Sequence, residues 1–318
     1  MSDSLPIVVY VSRFQDEDSA GKFARFVDSC KKHPAGHEHD LFIIKKGFQE
    51  HEDVWDTWIR QLDGIPFQIR AYPDRHFVFG YVRNLMEEFP DRYILICNAT
   101  CEIRVDQWLD LFMCHANPNR ILGAMGSYRS MIFPPPLTLR NFIRSSGKTR
   151  HAWWLSLWGN RRTFWSENFY PYPNPHLRTA VFMVPPRLLE RWFYWPRSES
   201  ILSKNDEFLF ESGKFSMTVQ ALLAGLEPLV VGVDGKAYPI VEWPHAETFQ
   251  SGEQKNLVIS DHQARTYDAY SFERKKRTAK GIWKSEIDQL DRFFEQVMSS
   301  DTSQIETFFL KAANRHDA

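Results

Sequence analysis

Residues 6–11 read PIVVYV, an unbroken apolar run that ends in the polar turn Ser12-Arg13-Phe14-Gln15-Asp16. A run without alternation suits a strand covered on both faces, as in the middle of a parallel sheet. Phe23, Phe26 and Val27 then recur at helical spacing within residues 18–31, and Leu41-Phe42-Ile43-Ile44 is a second apolar run. The chain therefore opens β-α-β. Trp55, Trp58, Ile59 and Leu62 predict a helix, residues 67–69 a short strand, 82–89 a helix and 93–97 a strong strand. Residues 106–115 predict another helix and 121–125 another strand. Further on, 179–184 and 229–233 read as strands, and 186–192 and 216–224 as helices.

Strands alternating with helices predict an α/β fold: a Rossmann-like, doubly wound, mostly parallel sheet with right-handed crossovers. Ligands of such sheets sit outside the carboxyl ends of the strands. The loops after Val11, Ile69, Cys97 and Met125 are thus where chemistry is expected.

The pattern breaks at residues 127–178, which hold three consecutive prolines at 134–136, a cluster of tryptophans, and eight Arg or Lys against one acid, Glu167. We read this stretch as an insertion in one domain spanning 1–284. Ile287, Leu290, Phe293, Phe294 and Val297 form one stripe of an amphipathic helix over 285–298, which opens a C-terminal helical tail, 285–318.

Charge narrows the function classes. Lys plus Arg number 39 and Asp plus Glu 40, so no global field attracts nucleic acid. Cys30, Cys97, Cys101 and Cys114 show neither CxxC spacing nor the density of a disulfide scaffold, and reduced thiols point to the cytoplasm. The first residues lack the pattern of a signal peptide, and no run approaches a membrane span. The basic, Trp-rich residues 140–162 suit an anionic or lipid-linked ligand, peripheral association with the inner membrane, or tryptophans packed over the core.

Several segments, in order, resemble inverting GT-A glycosyltransferases, in particular bacterial family 2-like enzymes of surface-polysaccharide assembly. IVVYVSRF resembles the first strand and the loop that meets the nucleotide base, and LFIIKKGF the second strand. YILICNATCEI resembles the strand ending in the donor-phosphate and metal motif. NPHLRTAVFMVPPRLLER resembles the acceptor-side strand and helix, and KNDEFLFESGKFSMTVQALLAGLEPLVV the acidic segment that carries the base. The resemblance implies a nucleotide-sugar donor and a saccharide or lipid-linked saccharide acceptor. It implies Ser12, Arg13 and Asp74 near the nucleotide, and Asn98, Thr100 and Glu102 near the phosphates. Mg²⁺ or Mn²⁺ would be held through Asn98 and Glu102. One departure is plain: Thr100 stands where the family presents a metal-binding Asp.

Inverting transfer needs a base for the acceptor hydroxyl and a stabiliser for the departing diphosphate. Glu211 is the first candidate base and Asp206 the second, with helix capping or exposed charge as the alternative for Asp206 and Glu207. Without an acid at Thr100, His176, Arg178 or Lys204 would neutralise the diphosphate. A structural salt bridge for Arg178, a surface charge for Glu102 and a simple turn for Asp74 stay open. Cys30, His33, His37 and His39 lie within ten residues, yet read as a solvated helix end rather than a zinc site. Two other functions remain: a degenerate, non-catalytic sugar-nucleotide-binding module, and a nucleotidyltransferase, which SRFQDEDSAG matches poorly as a Gly-rich phosphate loop.

Overall fold

The computed structural model describes residues 5–14, 18–48, 51–72, 78–130, 166–197, 204–284 and 287–313. The apolar runs become β1 (Ile7–Arg13), β2 (Asp40–Lys46), β3 (Gln68–Tyr72), β4 (Ile94–Cys97) and β6 (Arg120–Gly123), with the two-residue β5 (Glu102–Ile103) between the last two. Then follow β7 (Gly126–Ser127), β8 (His176–Leu177), β9 (Val181–Val184), β10 (Glu227–Val231), β11 (Ala237–Pro239) and β12 (Ile259–Ser260). Eight of these form one sheet in the order β11-β10-β6-β9-β4-β1-β2-β3. The six long apolar runs of the sequence all lie in it.

Strands β4, β1, β2 and β3 are mutually parallel, and β6 is parallel to β10. Between these blocks β9 runs antiparallel to both β4 and β6, and β11 closes the edge antiparallel to β10. The sheet is thus mostly parallel, as the alternation predicts, with one reversed strand in its middle.

The first three helices are α1 (Ser19–Lys32), α2 (Glu52–Ile59) and α3 (Val78–Glu88). Register shows that helices cover both faces of the sheet. Val9, Phe42, Ile96 and Phe182 are partners across four adjacent strands and share one face. Phe42 meets Phe89 and Phe182 meets Phe79, so α3 packs on that side. One residue on, Tyr10 points the other way and stacks on Phe26 of α1, with ring centroids 3.8 Å apart. All eight of these strand and helix side chains are buried except Phe89, which is half-buried.

Two expectations shift. Residues 186–192 form no α-helix: only a 3₁₀ turn, Leu188–Glu190, is present. Arg187 ahead of it takes a left-handed backbone, φ 55°, while its backbone N–H donates to Pro90 O and its side chain to Asp91, so these ties to the α3–β4 connection hold the chain off a helical path. The predicted helix over 106–115 contracts to α4 (Trp108–Met113). Of the insertion, residues 131–165 lie outside the described residues, but its two ends are joined, because β7 pairs with β8. In the tail, helix Ile287–Met298 buries Leu290, Phe293 and Val297, and Phe309 of helix Ile305–Ala313 stacks on Tyr194 at 4.7 Å. Among the described residues no helix is long and apolar enough to cross a membrane.

Candidate functional site

The sheet order places the switch point between β1 and β4: from β1 the chain goes first to β2 on one side and later to β4 on the other. A crevice outside the carboxyl ends of β1 and β4 follows from that reversal. Residues 12–13, the turn after β4, α1, α3, helix Lys204–Ser212 and helix His262–Asp268 bring side chains to it.

In the turn after β4, the Asn98 Oδ1 accepts from the Thr100 N–H and the Thr100 hydroxyl, both at 2.9 Å, and from the Cys101 thiol at 3.4 Å. Tyr10 from β1 anchors the same turn by donating to Ala99 O at 2.9 Å. Glu102 pairs with Arg265 at 3.3 Å, and the Thr100 hydroxyl lies 3.5 Å from His262 Nδ1. Asn98 therefore spends its oxygen on folding the turn, and Glu102 spends its charge on a guanidinium. The donor set does not fit a divalent cation: among the described residues no group of three or more His, Cys, Asp or Glu is placed to hold one.

Deeper in, Asn174, His176 and Arg178 share one side of an extended segment by their alternation. All three are buried. His176 Nδ1 faces Asn174 O at 2.8 Å, so Nδ1 carries the hydrogen and donates. Burial drives the His176 pKa down to about 4 against the opposing pull of Glu211, leaving a neutral ring. Arg178 is 4% exposed and stands between two carboxylates, 3.4 Å from Glu211 and 3.6 Å from Asp261, with its guanidinium 5.0 Å from the Phe249 ring centre. Asp261 caps helix His262–Asp268 by accepting from Gln263 N and Ala264 N at 2.9 and 2.8 Å. Arg178 thus ties that helix, and with it His262, to the acid-bearing helix Lys204–Ser212.

The acid-bearing helix buries Asp206, Glu207 and Glu211, which removes the exposed-charge alternative for the first two. Glu207 and Glu211 are four residues apart and share a face. Glu211 looks toward Arg178 and His176, while Glu207 and Arg13 both act on the Tyr81 hydroxyl of α3. The helix ends tightly: a Cβ at Gly213 would sit 2.5 Å from Leu209 O, so only glycine allows this approach. Asn174 Nδ2 donates to Ser212 O at 2.6 Å, and the Ser130 and Ser212 hydroxyls meet at 2.8 Å. Several buried atoms here have no hydrogen-bonding partner among the described residues: Tyr81 Oη, Asn174 Oδ1, His176 Nε2, and Arg178 Nε and Nη1. Such atoms are costly unless something polar meets them.

Of the residues singled out in the sequence, Arg13, Asn98, Thr100, Glu102, His176, Arg178 and Glu211 gather around this crevice, and Asp206 is buried on the acid-bearing helix. Ser12 lies beside it, but its hydroxyl donates to Ile44 O within the sheet. Asp74 lies outside the described residues, as do residues 140–162, and Lys204 opens the acid-bearing helix with its side chain outside the described set. His176 has no charge at neutral pH to offer a phosphate, and the Arg178 charge is already matched by two acids. In the histidine cluster, His33 bonds Asp106 at 2.7 Å and His39 bonds His37 O at 3.0 Å, while burial pushes the Cys30 thiol pKa up. Sequence reasoning missed Glu207, Tyr81, Arg25, Asp261, His262 and Arg265. An available signal was LVISD at 257–261, an apolar run closed by a capping Asp.

No protein-family model matches the sequence, and no curated protein matches it. Among solved structures, the chain is similar to GalNAc-T7 with UDP, GalNAc and Mn²⁺, at 13% identity and a TM-score of 0.41, covering 99% of this chain and 58% of that one. It is similar to the galactosyltransferase LgtC in complex with donor and acceptor sugar analogs, at 12% identity and a TM-score of 0.39, covering 90% and 99%. It is also similar to apo mouse xyloside xylosyltransferase 1, at 10% identity and 0.36, covering 66% and 78%. The structural neighbours are GT-A glycosyltransferases, the group that the sequence resembles. At these scores they say nothing of activity.

Proposed function

We propose that this chain is a glycosyltransferase that moves a sugar from a nucleotide-sugar donor to a saccharide or lipid-linked saccharide acceptor, with inversion, in surface-glycan biosynthesis. The observation that carries the reading is the acid-bearing helix: buried carboxylates, Glu211 beside Arg178 and Glu207 near Tyr81, on a helix beside the switch point of a mostly parallel sheet whose turn after β4 is flanked by a cation. The acceptor oxygen attacks the anomeric carbon, the bond from that carbon to the diphosphate oxygen breaks, and the acceptor proton passes to a carboxylate. Glu211 is the proposed base and Asp206 the second candidate. Glu211 is buried, which keeps water from competing with the acceptor. Residues 1–284 serve as the transferase domain and 285–318 as its tail. The cytoplasm, with peripheral membrane contact through residues 140–162, is the proposed location.

A second reading has its own observation: Thr100, in place of an acid, is bound to Asn98, as in a module that binds sugar nucleotides without turning them over. Donor hydrolysis across UDP-, GDP-, CMP- and TDP-sugars separates the two. Turnover of one donor supports the transferase. Binding without turnover, with and without added saccharide acceptors, favours the module, and absence of any binding refutes both.

A further inference from the structure

A cleft of about 550 Å³ runs along α1 against β5, lined in part by Gly21, Arg25, Ser29, Glu102 and Arg104. Lys22, Arg25 and Ser29 fall on one stripe of α1, and that stripe faces β5, because Ser29 Oγ accepts from Ile103 N at 3.1 Å. Arg25 reaches the neighbourhood of the turn after β4, where its charge acts on both Tyr10 and Arg265. It is half-buried, and among the described residues it has neither a hydrogen bond nor an ion pair. Glu102, which lines the cleft with Arg25, pairs with Arg265 at 3.3 Å; the charges of Arg25 and Arg265 oppose each other, and Glu102 and Asp261 offset that of Arg265, whose Nη1 is a buried atom with no hydrogen bond among the described residues. Lys22, paired with Asp18 at 3.3 Å, acts on the adjacent His262. Two guanidinia near one carboxylate, each with donors that make no hydrogen bond among the described residues, are an arrangement that an anion relieves. Arg104 is already committed to Asp268 at 3.0 Å, and Asp28 also lines the cleft, so the cations with donors left for a ligand are Arg25 and Arg265.

We propose that Arg25 and Arg265 bind the diphosphate of the donor and neutralise it on departure, in the role that a divalent cation would otherwise fill. The proposal rests on the glycosyltransferase reading. Guanidinium forks suit this task, because each presents paired N–H donors matching two phosphate oxygens. They also suit the site, where the described residues include no group of three or more His, Cys, Asp or Glu placed to hold a cation. The leaving oxygen gains a negative charge as its bond to the anomeric carbon breaks, and fixed cations beside it stabilise that charge without the water reorganisation that costs a reaction in solution.

Calorimetry in EDTA, with UDP, GDP, CDP and inorganic pyrophosphate as probes, tests this on the full chain and on Arg25→Gln and Arg265→Met. Arg25 makes no hydrogen bond or ion pair among the described residues whose loss would unfold the chain, so it is the safer variant, and far-ultraviolet circular dichroism checks both. The expected result is that one nucleoside diphosphate binds in EDTA and that each substitution weakens it at least tenfold, with a shallower salt dependence. Binding that requires Mn²⁺, or that neither substitution weakens, overturns the proposal and leaves the transferase reading standing. Pyrophosphate bound through the arginines, with no nucleoside diphosphate bound in EDTA or in Mn²⁺, keeps the anion site and refutes the transferase reading. If no probe binds, both fall.

Discussion

His176 makes the protein's stability depend on pH in a window that can be worked out. Its ring is fully buried, donates through Nδ1 to Asn174 O, and has its pKa lowered by burial from 6.5 to about 4, with Glu211 raising it and Arg178 lowering it. In the unfolded chain the ring takes a proton near pH 6.5; in the folded chain it resists until about pH 4. Between those values the unfolded state binds more protons, so stability falls as pH falls through the window and levels off below it. The gap is roughly 2.5 pH units, and at about 1.4 kcal/mol per unit the loss is on the order of 3 kcal/mol. His176→Asn isolates this contribution, because the Asn amide nitrogen can take the place of Nδ1 and donate to the same carbonyl without titrating. Urea unfolding at pH 7, 5.5 and 4 should show wild type losing about 3 kcal/mol more than the variant across the range, since the carboxylates titrate alike in both. Parallel stability profiles for the two proteins would refute the reasoning, and would mean that the ring is protonated in the fold or reached by water.

Three further outcomes are expected. Glu211→Gln should lower kcat by about 10² or more with donor affinity nearly unchanged, because a base meets the acceptor and not the nucleotide; a dead Asp206→Asn beside an active Glu211→Gln would move the assignment to Asp206. Arg178→Met should destabilise by about 3–5 kcal/mol in urea unfolding, because it strands the buried Glu211 and Asp261 carboxylates 3.4 and 3.6 Å from where the cation stood; an unchanged midpoint would mean that those acids do not depend on it. Gly126→Ala should cost about 1–3 kcal/mol, read as a lower melting temperature, since its Cβ would fall 2.5 Å from the buried Trp243 ring.

The sequence by itself determined the sheet. Runs such as residues 6–11 and 93–97 are apolar without alternation, and a segment that must be covered on both faces has few places to go except the middle of a helix-flanked sheet. Helix periods at Phe23, Phe26 and Val27 were legible for the same reason: burial is a local demand, written at local spacing. The acidic segment was legible as acidic. Tertiary structure alone decided the direction of β9, because antiparallel and parallel strands buried on both faces carry the same apolar run. It also decided the partners of the charges. Arg178 meets Glu211 and Asp261 across 33 and 83 residues of chain, and Glu102 meets Arg265 across 163, distances at which no spacing rule operates. Nor could spacing tell that Asn98 would fold its oxygen back onto Thr100, or that Arg25 would line one cleft with Glu102, the partner of Arg265. Hydrophobic burial writes a pattern along the chain; electrostatic pairing depends on where the finished fold brings distant segments together.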